Sequence, residues 1–331
     1  MFNALDMHCD TLWKAFERHV NDFENADILD MPGCAIDFNR LAEAGYAAQF
    51  FAVYLPPRAE FSKQFGSDSV TDEDYIYACC KIMENSLART DKVLQAKTAD
   101  DIRRNLAAGK ASAVLTMEDG RAVDYKMENI KRFYDLGVRA CSLTWNGANC
   151  LGNPNSKDPE LMKLGLTDFG KEAIQYMQEL GMLVDVSHLS DGGFYDVASI
   201  CKKPFIASHS NARALAPHQR NLTDDMLKIL GNAGGVTGIN FCGPFLNADA
   251  ASPQSTAKRM AEHMMHIANV AGMDAVALGS DLDGTIGELE IDECTKMYLL
   301  ADALKAEGFT EAQIDKAFSG NVLRVMDEAV K

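Results

Sequence analysis

The stretch "ALDMHCDTL" (residues 4–12) has the apolar flanks of a buried strand, yet its last turn carries His8 and Asp10 on either side of Cys9. Alternate residues of a strand point to the same face, so His8 and Asp10 project together while Cys9 turns toward the core. An H-x-D triplet arises often by chance, so its weight depends on what the other strands carry. Seven further apolar stretches read as strands: 46–56, 112–120, 138–146, 183–190, 204–211, 234–241 and 275–284. Between them lie amphipathic segments with start and stop signals, such as "TADDIRRNLAAG", which opens on Thr98 and closes on Gly109. Eight strands alternating with helices imply parallel pairing through helical crossovers, and eight is the number that closes a (β/α)8 TIM-type barrel. The long connections after the first two strands leave room for extra helices. A doubly wound open sheet is the alternative, but no glycine-rich phosphate loop follows any strand.

The 331 residues suit one large barrel domain spanning 1–331, and an apolar fraction of 47% is enough for a substantial core. A net charge of −16 disfavours nucleic acid and anionic lipid as partners. The nine cysteines show no paired spacing, which points to free thiols and a reducing compartment. The opening "MFNALDMHCD" has no basic segment, and the longest apolar stretch is too short to span a membrane and contains Gln49. A cytoplasmic protein with no membrane association is the expectation.

Barrel active sites are built at the C-terminal ends of the strands. Those ends carry His8 and Asp10, then Glu118, His188, His209 and Asp281. Neutral imidazoles with carboxylates suit zinc and related ions. Glu118, at the mouth of the third strand, is placed to bridge two ions, one held by His8 and Asp10 and the other by His188 and His209. Its neighbour Asp119 should point the other way. Asp281, on the last strand, is placed to take a proton from an activated water and pass it to a leaving group. Asp283 reads as a loop-ordering residue. His263 and His266 fall on a helix outside the barrel, where packing or solvent contact is the simpler role. The segment "SHSNARALAPHQRN" (208–221) runs from His209 through Arg213 and His218 to Arg220. An arginine leaning over the site would recognise a substrate carboxylate, and the competing reading is a surface salt bridge.

The ordered set "DMHCDTL", "AVLTMEDG", "VDVSH", "PFIASHSNARAL…RN" and "LGSDLDG" resembles the membrane dipeptidase (renal dipeptidase) family of binuclear zinc peptidases, within the amidohydrolase-like barrels. The resemblance implies two Zn²⁺ ions bridged by Glu118 and a water or hydroxide, with His8 and Asp10 on one ion and His188 and His209 on the other. It implies Asp281 as general acid/base and Arg220 as the group that binds the C-terminal carboxylate of a dipeptide, with Tyr54 also near the substrate. A D-residue at the C-terminal position and a homodimer are further implications. One departure stands out: "SLTWN" places Trp145 where the animal enzyme has a histidine that helps bind substrate, so the resemblance implies a substrate-binding role for Trp145, whose indole N–H can still donate a hydrogen bond but cannot carry charge. The alternatives are a related zinc hydrolase of another amide, such as an N-acyl amino acid or a lactam, and a non-catalytic metal-binding protein.

Overall fold

The computed structural model describes residues 2–20, 22–65, 70–249 and 251–331. Eight parallel strands close a barrel: β1 (Leu5–Asp6), β2 (Ala48–Tyr54), β3 (Ala111–Glu118), β4 (Val138–Ser142), β5 (Leu183–Asp185), β6 (Ile206–Ala207), β7 (Val236–Ile239) and β8 (Val276–Leu278). Each pairs with its sequence neighbour, and the pairing of Asp6 with Leu278 joins β1 to β8. Each of the eight sequence-derived stretches coincides with one barrel strand, β3 beginning one residue before its stretch.

The strands are shorter than the apolar runs that announce them. β1 stops at Asp6 and the helix Thr11–His19 begins five residues later, so His8 and Asp10 lie beyond the regular ladder. An isolated parallel bridge between Cys9 and Leu282 keeps that segment extended, with Cys9 fully buried in the outer core. A short strand, Val93–Gln95, was not expected; it pairs with the first residues of β3, below the point where β4 joins. Its three residues are too few to show a period, and only Val93 is buried.

Caps fall where the sequence signals them. Thr98 and Asp101 form a reciprocal capping box, and Gly137 and Gly181 end their helices at positive φ. The last helical region is interrupted by a π-helical turn at Lys316–Gly320 before the helix Asn321–Ala329. That helix packs Val322, Val325 and Met326 with Phe50, Val114, Leu183, Ile206 and Val236, sealing the barrel at the end away from the C-terminal ends of the strands. No helix among the described residues is long and apolar enough to cross a membrane.

His263, on the helix Ala257–Ala271, has the packing role expected of it. Its Nδ1 accepts from the backbone N–H of Ala212 and its Nε2 donates to the carbonyl of Leu246, which requires a neutral ring. Burial pushes its pKa down to about 4. A histidine depressed in the folded state adds stability above the unfolded pKa of about 6.5 and loses it as pH falls toward the folded value, because the unfolded chain protonates first. The expected loss is up to about 3 kcal/mol between pH 6.5 and 4. In urea unfolding at stepped pH, a His263→Gln variant, which keeps a donor and an acceptor, should show a flatter slope over that window.

Candidate metal centre

Six side chains from five strand ends converge at the barrel mouth, all nearly buried. His8 Nε2 stands 3.6 Å from Asp10 Oδ2, 3.5 Å from Glu118 Oε2 and 3.9 Å from Asp281 Oδ1. Glu118 Oε1 lies 2.9 Å from His188 Nε2 and 3.5 Å from His209 Nε2, and the two imidazole nitrogens are 3.0 Å apart. Separations near 3.5 Å are long for hydrogen bonds but close to the ~3.3 Å between two atoms that each stand ~2.0–2.1 Å from one tetrahedral zinc. His8 Nε2 and Asp10 Oδ1 are buried with no hydrogen-bond partner. Two groups of ligand atoms cluster within coordination reach, His8–Glu118–His209 and His8–Asp10–Asp281. A buried set of hard and borderline donors with orphaned lone pairs fits a divalent cation.

The electrostatics reinforce the fit. Burial alone would keep His8 neutral, but Glu118 and Asp10 outweigh it and hold its pKa well above the usual value. Burial would raise Glu118, yet His8 and His188 hold it well below the carboxylate range. Burial, followed by Asp10 and Glu118, lifts Asp281 to about 8. Burial, with Arg220 next, lowers His188 to about 4, and His209 is pushed down by burial and by His8. Asp10, Glu118 and Asp281 crowd around one imidazolium, and burial disfavours the ionised forms of Asp10 and Asp281, a cost that bound cations would offset.

The backbone supports this arrangement. His188 and Asp281 both hold positive φ, 69° and 62°, in a region L-residues seldom occupy. Asp185 lies three residues before His188. Its Oδ1 accepts from the N–H groups of Ser187 and Ser208, and its Oδ2 accepts from the Ser208 hydroxyl. That hydroxyl lies 2.7 Å from His209 Nδ1 and, having spent its proton on Asp185, accepts from it, which leaves the His209 Nε2 lone pair facing the site. His188 Nδ1 is 3.3 Å from Asn146 Oδ1. Asn240 donates to Asp281 Oδ2 at 2.9 Å. Asp185, Ser208, Asn146 and Asn240 were not singled out in the sequence. The serines in "VDVSH" and "IASH" were the available signal, but nothing in one dimension shows that they meet.

Gly284 is a second support that only the packing reveals. A Cβ there would lie 1.8 Å from Asp10 Oδ2 and 2.7 Å from Asp281 Oδ1. Gly284→Ala is therefore expected to turn the Asp10 carboxylate away and weaken metal binding by about 10- to 100-fold, the range seen when a ligand loses its support, with little change in thermal unfolding of the metal-free chain. Isothermal titration with Zn²⁺ checks it.

The remaining expectations divide cleanly. Asp119 points away from the cluster and pairs with Arg121 and Asn149. Asp283 orders loops, accepting from the Thr11 hydroxyl and the Ala35 N–H. His266 pairs with Asp224 on the surface. Of the two arginines, Arg213 makes the salt bridge, bidentate to Asp191. Arg220 is 6% exposed and donates to Ser210 Oγ and the His209 carbonyl; among the described residues it has no carboxylate partner, and its Nε has no acceptor. Tyr54 and Trp145 line the same cavity, of about 760 Å³, over the cluster, with Arg220 and Asp281.

A dipeptidase of Claviceps purpurea (strain 20.1) is 29% identical over 325 residues, 96% of this chain and 75% of that protein. A Klebsiella pneumoniae protein described as uncharacterized, in the pqqA 5′ region, is 35% identical over 236 residues, 69% of this chain and 86% of that one. Among solved structures, a metallopeptidase from Rhodobacter sphaeroides, liganded with a phosphinate mimic of the dipeptide L-Ala-D-Ala, superposes with a TM-score of 0.85 at 26% identity over 99% of both chains. The family model described as membrane dipeptidase (peptidase family M19) matches residues 1–331. With the convergent ligand cluster, these matches establish that the chain belongs to the membrane dipeptidase family, peptidase family M19, and is a peptide-bond hydrolase of that metallopeptidase class.

Proposed function

We propose that this protein hydrolyses dipeptides with a free C-terminal carboxylate using two zinc ions, and that it accepts a D-residue at the C-terminal position. The observation that carries this reading is Arg220. A buried guanidinium that has no carboxylate partner among the described residues, beside a metal-type cluster in an acidic protein, is a charge held for an anionic substrate group. The L-Ala-D-Ala mimic bound by the Rhodobacter sphaeroides relative supports the stereochemical part.

In this reading His8 and Asp10 would hold one ion and His188 and His209 the other, with Glu118 placed to serve both. Bound zinc supplies Lewis-acid polarisation of the scissile carbonyl and lowers the pKa of water. The chain's own groups do the rest. Arg220 fixes the carboxylate end, which limits the substrate to a short peptide. Asn240 holds Asp281 by Oδ2 and leaves Oδ1 facing the cluster, where it can take a proton from water and deliver it to the departing amine. Nine free thiols are in keeping with a cytoplasmic setting.

The decisive test is hydrolysis of paired L-Ala-L-Ala and L-Ala-D-Ala by zinc-loaded and chelator-stripped protein. Zinc-dependent cleavage of both is expected, with zinc analysis giving two ions per chain. Zinc-loaded protein that cleaves neither peptide but hydrolyses N-acyl amino acids would replace the dipeptidase reading. Arg220→Met is expected to lower kcat/KM by about 10²- to 10³-fold, mostly through KM, since a buried charge pair is lost. A dipeptide amide should be a poor substrate for the parent, and the variant should no longer distinguish it from the free acid.

A further inference from the structure

The cavity has two unlike sides. Barrel order places β2 four strands from β6, so Tyr54 at the end of β2 stands across the mouth from Arg220, which follows β6. On the Tyr54 side the aromatic rings form a continuous wall. Trp13 meets Tyr54 edge-on at 6.0 Å, Tyr54 meets Trp145 at 5.1 Å, and Trp145 lies 6.1 Å from the His188 ring. The wall therefore runs from the first helix to the metal cluster. Glu60 lines the cavity on this side too, close enough to Tyr54 to help raise its hydroxyl pKa. On the other side Arg220 lies under Phe245, with the guanidinium carbon 5.6 Å from the ring centroid.

Resting on the dipeptidase reading, we propose that Trp145, with Tyr54 and Trp13, forms the subsite for the substrate's N-terminal side chain, and that the enzyme selects dipeptides whose first residue is bulky and apolar, aromatic above all. The direction follows from charge. A dipeptide is a zwitterion. With its carboxylate at Arg220 and its scissile carbonyl over the cluster, its first residue must extend toward β2 and β4. There Glu60 supplies a negative charge for the ammonium group, and the three rings supply the contact for the side chain. Aromatic pairs favour edge-to-face packing at such separations, so a substrate ring can continue the series. A cavity of about 760 Å³ leaves room for it.

The test uses the zinc-loaded full chain with L-Ala-L-Ala, L-Phe-L-Ala and L-Ala-L-Phe. The expected kcat/KM for Phe-Ala exceeds that for Ala-Ala by about 10- to 100-fold, the value of burying one aromatic side chain, and exceeds that for Ala-Phe. In Trp145→Ala the Phe-Ala to Ala-Ala ratio should fall below about threefold, and in Trp145→Phe most of it should return, with two zinc ions bound in each variant. A parent that favours Ala-Phe, or a Trp145→Ala variant with an unchanged ratio, overturns the proposal. Cleavage of all three at similar rates overturns this proposal alone. Cleavage of none by protein carrying two zincs overturns the dipeptidase reading beneath it.

Discussion

A Glu118→Gln variant is expected to fold but to lose both metal retention and activity, with kcat/KM falling by roughly 10³-fold or more. Among the described residues Glu118 is the one carboxylate in contact with all three histidines, at 3.5 Å from His8, 2.9 Å from His188 and 3.5 Å from His209. Its charge is a main support for the raised His8 pKa, and His8 and His188 hold Glu118 ionised in return. Glutamine keeps the volume but removes the charge and turns one acceptor into a donor aimed at ring nitrogens. Breaking a buried ionic set by removing one partner costs on the order of 3–5 kcal/mol, which is about 10²- to 10⁴-fold in binding. Metal analysis after gel filtration, with circular dichroism as the folding control, checks it. A variant that keeps two tightly bound ions would show that Glu118 does not join them.

The second large effect is expected at Asp281. Asp281→Asn should lower kcat by about 10²- to 10⁴-fold, the usual contribution of a positioned proton carrier, while both zincs stay bound. Burial and the nearby Asp10 and Glu118 carboxylates lift this group to about 8 in the metal-free chain. The sign for stability follows from that shift. A carboxyl raised from about 3.8 in the unfolded chain to about 8 in the folded chain stabilises the metal-free protein at low pH, and that contribution is lost progressively as pH rises from about 4 to 8. Metal-free Asp281→Asn should therefore lose less stability than the parent between pH 4 and 8 in denaturant titrations. Equal rates in parent and variant would rule out Asp281 as the proton carrier.

Much of this site was readable in one dimension because a barrel imposes a rule: whatever ends a strand faces one mouth. That rule brought His8, Glu118, His188, His209 and Asp281 together from positions up to 273 residues apart, and the structure places their side-chain atoms within about 4 Å of a neighbour in the cluster. The rule does not say which of two arginines on one loop turns inward. Arg213 and Arg220 lie seven residues apart on that loop, and Asp191, 22 residues before Arg213, draws the first outward. Nor could spacing reveal the supports. Asp185 acts through Ser208 of the next strand, Asn240 reaches Asp281 across the β7–β8 pair, and Gly284 matters only because Asp10 passes where its Cβ would be.

The sequence by itself determined the eight strands, their parallel order and the chemical types at their ends, because hydrophobic period and strand-end residues are local properties. The tertiary structure decided which atoms meet: the orphaned nitrogen of His8 among three carboxyl groups, the buried Arg220 with no carboxylate partner among the described residues, and the aromatic wall from Trp13 to Trp145. These are distances between residues from different strands and loops, set by barrel closure and side-chain packing, and no local pattern encodes them.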